Sequence, residues 1–204
     1  MADSTENTRE LLVALQRDKD AAFTALVESY HAGLVAVAGT MLGHGEAEDA
    51  VQAAWISAYR AIDRFEGRSA IRTWLYRIVI NEARMRRRGG GRELSLDADP
   101  VEADPLADRF RGNGHWRTPP LQWDWNSPED LLQEQQLLDC LRKHLDRLPE
   151  AQRLAVLLRD VQGLEFAEIC NTLGVESSNV RVLLHRGRTT LFRMVDQYQE
   201  TGKC

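Results

Sequence analysis

One segment of the chain, from Leu164 to Arg188, constrains the fold more than any other. Apolar residues recur in its first half at three- and four-residue spacing, which predicts one face of a short helix. Gly174 then ends this helix, because glycine is favoured just past a helix end. Ser177 or Ser178 can cap the following helix, since a serine hydroxyl accepts hydrogen bonds from free amides. The apolar positions are Phe166, Ile169, Cys170 and Leu173.

The second helix of this segment has one apolar side and one open side that carries cations. Val180, Leu183 and Leu184 predict the buried side. The other face is formed by Ser178, Arg181, Val182, His185 and Arg188. Two helices joined in this way are typical of a helix-turn-helix, whose second helix enters the major groove of DNA. An ordinary helical hairpin with a solvated basic edge is the alternative.

Length and composition set the class of protein. The 204 residues allow one or two domains, and an apolar content of 43% is enough for packed cores. No apolar run reaches the roughly 18 residues of a membrane span, so we expect no membrane insertion. The N-terminus is too acidic and polar for a signal peptide, which predicts a cytoplasmic location.

The three cysteines form no close pair along the sequence. Cys140 and Cys170 lie among apolar helical positions and are predicted to be buried thiols. Cys204 could be reactive, and Cys204 or Cys140 could sense redox state. We expect no disulfide framework in a reducing compartment.

Charge is distributed very unevenly along the chain, although the net charge is only -5. Residues 60–92 contain ten Lys or Arg against three Asp or Glu, whereas residues 93–134 contain three against ten. A basic block followed by an acidic one indicates a cationic binding face and a polyanionic connector.

The pattern predicts an all-α protein of two small helical domains joined by a flexible acidic linker. Residues 1–91 form the first domain, residues 92–127 the linker, and residues 128–204 a four-helix domain with the helix-turn-helix. Helices are expected at 21–42, 46–62, from a Ser69 cap to about Arg88, and at 128–147, 149–161, 165–173 and 177–198. The linker holds Trp116, Trp123 and Trp125, which either dock on the chain's own domains or pack on a partner protein.

The basic block combines arginines with aromatic residues. Arg68, Arg72, Arg84 and Arg88 repeat at multiples of four, with Arg77 close by, and arginine arrays bind phosphates. An aromatic ring beside them can stack on an unpaired base. Phe65, on a turn, is the better stacking candidate, whereas Trp74 is expected to lie largely in the core. For Arg86, Arg87 and Arg88 a phosphate-facing surface is favoured over helix-dipole compensation.

Two long segments resemble known regions of one family. Residues 49–88, DAVQAAWISAYRAIDRFEGRSAIRTWLYRIVINEARMRRR, resemble region two of the extracytoplasmic-function sigma factors of bacterial RNA polymerase. Residues 148–188, LPEAQRLAVLLRDVQGLEFAEICNTLGVESSNVRVLLHRGR, resemble their region four. The resemblance implies a promoter-recognition subunit that opens DNA and starts transcription, with core polymerase and both duplex and single-stranded promoter DNA as partners.

The resemblance also implies roles for individual residues. Core polymerase would be bound by Glu48, Asp49, Val51, Gln52, Trp55 and Ile56. The minus-ten element and the melted strand would be bound by Phe65, Arg68, Ser69, Ala70, Arg72, Trp74, Asn81, Arg84 and Arg88. The minus-thirty-five element would be bound by Ser178, Asn179, Arg181, Val182, His185, Arg186 and Arg188.

The chain departs from the family pattern at Gly187, where alanine is usual, so the recognition helix is expected to fray there. The family also implies control by an anti-sigma factor. We expect no cofactor, no metal and no homo-oligomer. A stand-alone helix-turn-helix regulator is the alternative function, but the basic and aromatic block at 65–88 argues against it. An enzyme is not expected, because the five histidines are scattered without a metal or nucleophile motif.

Overall fold

A computed structural model describes residues 2–89 and 128–204, and within them every regular element is helical. The prediction of an all-α protein is confirmed. Helix α6 continues into a π-helical turn, Leu157–Val161, and a 3-10 turn, Ile62–Arg64, follows α3. The α-helices are α1 Ala2–Arg17, α2 Lys19–Leu42, α3 His44–Ala61, α4 Ile71–Gly89, α5 Pro128–Arg147, α6 Glu150–Val156, α7 Phe166–Leu173 and α8 Ser177–Thr201.

The described residues form two compact units. The first takes α1 to α4 together with Leu157–Gly174, and the second takes α5, α6 and Val175–Cys204. The predicted linker at 92–127, with Trp116, Trp123 and Trp125, lies outside the described residues. The predicted domain boundaries therefore stay a prediction.

Helix α2 is the central helix of the first unit's core. By length and composition alone it could cross a membrane, which is weak evidence because core helices pass the same test. Its Leu34, Val37 and Ala38 are buried. Its Phe23 makes edge-on ring contacts with Trp55 and Tyr59 of α3, at centroid distances of 5.4 and 5.0 Å. These contacts are those of a helix that packs against its neighbours in the unit.

The helix starts differ from the predicted serine caps. Helix α4 begins at Ile71. The residue directly before it is Ala70, not Ser69, and the Ala70 carbonyl accepts a hydrogen bond from the Trp74 amide. Glu176 takes the N-cap position of α8 in extended backbone, so Ser177 is already helical. The cap position is set by where the backbone turns, and serine content alone did not locate it.

The cysteine prediction was wrong for one pair. Cys140 and Cys204 are joined in a disulfide with a Cα–Cα distance of 5.5 Å, although 64 positions separate them. Helices α5 and α8 pack together, which brings the residues just past α8 beside α5. Cys140 is buried as expected, and Cys170 is half-buried and outside any disulfide. Tertiary packing produced a pair that sequence spacing did not reveal.

Two of the three adjacent arginines at the end of α4 hold neighbouring helices. Arg87 Nη1 donates to the Met41 carbonyl, 2.9 Å away in the last turn of α2, and Arg86 Nη2 donates to the Asp49 carbonyl of α3 at 3.0 Å. Carbonyls in the last turn of a helix lack partners within the helix, and a cation there also complements the dipole. The expectation that this run faces phosphate was therefore wrong for Arg86 and Arg87.

Gly187 lies inside an unbroken α8, and the expected fraying is absent. A Cβ at this position would lie 2.7 Å from Cγ2 of Val156 and 3.4 Å from the Gln152 carbonyl oxygen. Glycine therefore permits the close approach of α6 to α8 within the second unit, which offsets its low helix propensity.

We predict that Gly187→Ala destabilises the second unit by about 1–3 kcal/mol, because the added methyl overpacks the α6–α8 contact. Gly39→Ala is the matched control: it is also a helical glycine, but its Cβ would meet only the Ala47 Cβ at an ordinary 3.8 Å. That variant should be neutral or slightly stabilising. Hydrogen exchange measured peptide by peptide checks both, and equal effects would contradict the packing role of Gly187.

We predict that Arg87→Ala makes the first unit about 1–2 kcal/mol less stable, because a charged hydrogen bond to a helix-end carbonyl is lost. Arg77→Ala removes the same charge from an exposed position of the same helix and should change stability by less than about 0.5 kcal/mol. Amide exchange in the last turn of α2 measures the difference. Identical exchange in the two variants would show that only the charge matters.

Candidate nucleic-acid and polymerase interfaces

Helix α3 presents four of its six predicted polymerase contacts to solvent. Glu48, Asp49, Gln52 and Ile56 are exposed, and Ile56 keeps half of its surface open at 50%. Their spacing places them along one side of the helix. Val51 and Trp55 are buried instead, in the core of the first unit. The open side is thus a polar strip with one large apolar side chain.

Trp55 of α3 is held by a chain of polar contacts that runs through His31 of α2 to Glu48 of α3. Its indole Nε1 donates to Nδ1 of His31 at 3.3 Å, and Nε2 of His31 lies 3.4 Å from Glu48. Because Nδ1 accepts, the ring proton lies on Nε2, which faces the carboxylate. Trp55 therefore positions the helix from the core, and Glu48 is the exposed end of this chain of contacts.

Two aromatic residues at and just after the turn between α3 and α4 differ in exposure in the opposite sense to the prediction. Phe65 is only 9% exposed, whereas Trp74 is half-buried. The two rings are in contact, with centroids 5.2 Å apart. Phe65 follows the 3-10 turn and its amide donates to the Ile62 carbonyl, which points the ring inward. Trp74 is therefore the more accessible ring.

The remaining residues predicted at the minus-ten surface differ in exposure. Arg68, Ser69, Asn81 and Arg88 are exposed, and Ala70 is half-buried. Arg68 Nε donates to Glu66 at 2.7 Å on the open turn. Arg68 and Ser69 precede α4, whereas Asn81 and Arg88 lie about three and about five turns into it. Polar and cationic groups thus extend from the turn along the helix.

Arg72 and Thr73 bind one carboxylate, that of Glu168 on α7. Arg72 Nη2 lies 3.2 Å from Oε2 of Glu168, and the Thr73 hydroxyl donates to Oε1 at 2.5 Å. Oε2 also accepts from the Glu165 amide at 2.7 Å, which closes the first turn of α7. One carboxylate therefore caps α7 and ties it to α4 within the first unit.

Arg84 donates to the carbonyl of Leu173, the last residue of α7, at 2.5 Å. Burial, and then the nearby charge of Arg88, lower the pKa of Arg84 below its ordinary value. A guanidinium remains charged under such conditions. Arg84 is thus half-buried and engaged with the end of α7 in this conformation.

A buried tyrosine closes the same interface. Tyr76 donates its hydroxyl proton to Oε1 of Gln162 at 2.5 Å. Burial, and to a smaller extent Tyr30, raise the pKa of Tyr76 above its ordinary value, whereas Arg72 lowers it. A Cβ on Gly33 of α2 would collide with this pair, so glycine is required where they meet.

The first turns of α8 carry most of the residues predicted to read the upstream element. Ser178 and Arg181 are exposed, while Asn179, Val182, His185 and Arg186 are half-buried. Nε2 of His185 lies 3.3 Å from the Thr189 hydroxyl. Arg188 differs, because it is only 5% exposed. Arg188 is therefore not part of the open surface that carries Ser178 and Arg181.

Sequence reasoning missed Glu168, which binds the predicted DNA-binding residue Arg72 and also Thr73, and it missed Gln162, which binds Tyr76. Their partners lie about 90 positions away, and only the fold reveals them.

Two family models match the chain. Sigma-70 region 2 matches residues 26–93, and Sigma-70 region 4 matches residues 138–191. The first covers α3, the turn and α4, and the second covers the helix-turn-helix segment. The two matches follow each other in the same order as the two resembling segments.

Curated relatives match nearly the whole chain. The ECF RNA polymerase sigma-E factor of Escherichia coli K12 is 32% identical over 190 residues, covering 92% of this chain and 94% of the relative. The RNA polymerase sigma-H factor of Pseudomonas aeruginosa is 32% identical over 187 residues, covering 91% and 92%.

Solved structures share the fold. CnrH in complex with the cytosolic domain of CnrY gives a TM-score of 0.53 at 21% identity, covering 93% of this chain and 97% of that one. The sigma factor RpoE of Bartonella quintana, in complex with the anti-sigma factor NepR, gives 0.54 at 22% identity, covering 85% and 96%. The two family models and the curated relatives establish that the chain belongs to the extracytoplasmic-function sigma factors of bacterial RNA polymerase.

Proposed function

We propose that this sigma factor reads a promoter through two separate surfaces and binds core polymerase through a third. The observation that carries the proposal is the pair of ordered family matches, one on each side of the 92–127 segment. Tethering two weak sites raises affinity through effective concentration, so neither surface needs to bind tightly alone. Run-off transcription with core polymerase is the direct test.

The upstream element is read by the start of α8. Ser178 and Arg181 are open to solvent, and Asn179, Val182, His185 and Arg186 flank them. Arginine pairs with guanine edges in the major groove, and polar side chains near a helix start reach bases or phosphates. Burial of Arg188 argues that it supports the helix, so its predicted contact with DNA depends on exposure in the complex.

The minus-ten element is bound by the turn before α4 and by the exposed side of α4. Arg68, Ser69, Asn81 and Arg88 are accessible for phosphate and base contacts. Trp74 is the better candidate for stacking on an extruded base, with Phe65 supporting it from the core side. Arg72 and Arg84 would join this surface only after exchanging Glu168 and the Leu173 carbonyl for DNA phosphates.

Core polymerase is bound by the exposed strip of α3. Glu48, Asp49, Gln52 and Ile56 offer carboxylates, an amide and one apolar anchor on a single side. Such a combination of an apolar centre and polar surroundings is typical of protein interfaces. Val51 and Trp55 contribute by fixing the helix from beneath.

An anti-sigma factor controls the protein in this proposal. One similar solved structure is of a sigma factor bound to an anti-sigma factor. The sigma factor acts in the cytoplasm, where promoter DNA and polymerase are found, and it works as a binding subunit without catalysis, cofactor or metal of its own. A stand-alone regulator would instead bind its target equally well without polymerase.

We predict that Arg181→Ala lowers run-off transcription from a matched promoter by about 5- to 100-fold, because one major-groove contact is lost. Arg193→Ala, on the same helix and exposed, is the control and should leave transcription within twofold. The Arg181 effect should shrink on promoters already mutated in the upstream element. An equal loss in both variants would contradict base reading by α8.

We predict that Ile56→Asp weakens binding to core polymerase at least tenfold, since a charge replaces the apolar anchor of the strip. Ser57→Asp introduces the same charge at the neighbouring exposed position of α3 and should have a small effect. Fluorescence anisotropy of labelled protein with core enzyme gives both affinities. Unchanged binding of the Ile56 variant would remove this strip as the docking surface.

A further inference from the structure

The second unit contains a compact centre of two sulfurs and one imidazole that the sigma function does not use. Cys140 lies on α5, His144 lies one turn later, and Cys204 lies two residues past Gly202, which ends α8. The sulfurs are joined in a disulfide. Nδ1 of His144 lies 3.7 Å from Sγ of Cys140 and 3.9 Å from Sγ of Cys204.

The two cysteines differ sharply in access. Cys140 is 1% exposed and belongs to an apolar cluster with Leu137 and Met194. Cys204 is exposed. An exposed thiol meets a dissolved oxidant first, and a buried neighbour within reach then resolves the intermediate. Nδ1 of His144 also donates to the Cys140 carbonyl at 3.1 Å, so its N–H faces both sulfurs and is placed to stabilise a thiolate as a hydrogen-bond donor.

We propose that Cys140, His144 and Cys204 form a reversible thiol–disulfide switch, oxidised by low-molecular-weight disulfides, that ties the end of α8 to α5. The Cys204 thiolate attacks one sulfur of the small disulfide, which releases one small thiolate and leaves a mixed disulfide. The Cys140 thiolate then attacks Cys204 Sγ and releases the second. Two protein thiols lose two electrons, and the small disulfide gains them as two thiols that take up the two protons.

The consequence falls on the helix that carries the proposed upstream reader. Leu141, Val195 and Tyr198 already pack around the cluster, and the Tyr198 hydroxyl lies 3.4 Å from Oε1 of Gln136. The disulfide adds a covalent link to this packing and closes a long loop, which restricts the unfolded chain. The switch rests on this geometry alone and does not depend on the assigned DNA contacts.

The test uses the purified full chain, equilibrated in buffers with graded ratios of oxidised to reduced glutathione. Thiol counting with a maleimide and peptide mapping under non-reducing conditions follow the bond. We expect two of three thiols to be lost together, with a Cys140–Cys204 cross-linked peptide, and a rise of about 10 °C in the unfolding midpoint of the second unit. Cys204→Ser should abolish both changes, whereas Cys170→Ser, the matched control, should retain them.

Three results would overturn the switch: no loss of thiols at any ratio, a bond that uses Cys170, or a bond between two chains. A fourth result concerns a metal ion, because the ligand atoms of the same three side chains lie within 4.8 Å of one another. If one equivalent of Zn²⁺ binds the reduced chain and blocks oxidation of both thiols, the centre is a metal site instead.

The role of His144 has its own readout. His144→Ala should slow both formation and reduction of the disulfide about tenfold or more, because the ring no longer donates a hydrogen bond to the thiolate that attacks or leaves. Unchanged rates in both directions would show that His144 only packs against the sulfurs.

Discussion

Arginine side chains that bind main-chain carbonyls hold the first unit together. Arg84 and Arg87 of α4 donate to the carbonyls of Leu173 and Met41, at or near the ends of two other helices. A buried guanidinium, that of Arg159, does the same for the Leu164 carbonyl at 2.6 Å. Helix ends leave such oxygens without partners, and burying them unpaired would cost about 1–3 kcal/mol each. The arginines of α4 therefore keep helix-end carbonyls paired where α4 packs against α2 and α7.

This requirement changes how the basic block must be interpreted. A local excess of arginine indicates a DNA surface when all the cations are solvated, but here several satisfy the protein's own backbone. The cations left at the surface are fewer, and they begin on the turn before α4 with Arg68 and continue to Arg88. Glu168 completes the arrangement by neutralising Arg72 while capping α7. Fold stability and the proposed nucleic-acid recognition thus draw on the same residue type in one helix.

Helix positions and the order of the two motifs could be predicted from the sequence, because both depend on local spacing. The period of apolar residues located α3, α7 and α8, and Gly174, with a φ of 69°, ended α7 as expected. The exposure of single side chains could not be predicted in the same way. Phe65 is buried and Trp74 is partly exposed, the opposite of the prediction, because the 3-10 turn directs the Phe65 ring inward. The local sequence between the two residues does not specify that direction. The Cys140–Cys204 bond likewise depends on the packing of α5 against α8.

Gly187 shows how a departure from a family pattern can be a packing constraint. Read locally, glycine within a helix weakens it by about 1 kcal/mol relative to alanine. In the folded protein, glycine lacks the methyl group that would lie 2.7 Å from Val156. Helices α6 and α8 therefore approach more closely than alanine would allow. The buried side of α8 is thereby fixed against α6, which determines the face that remains open. Since Ser178 and Arg181 lie on the open part of the same rigid helix, the glycine helps set the orientation of the surface proposed to read DNA.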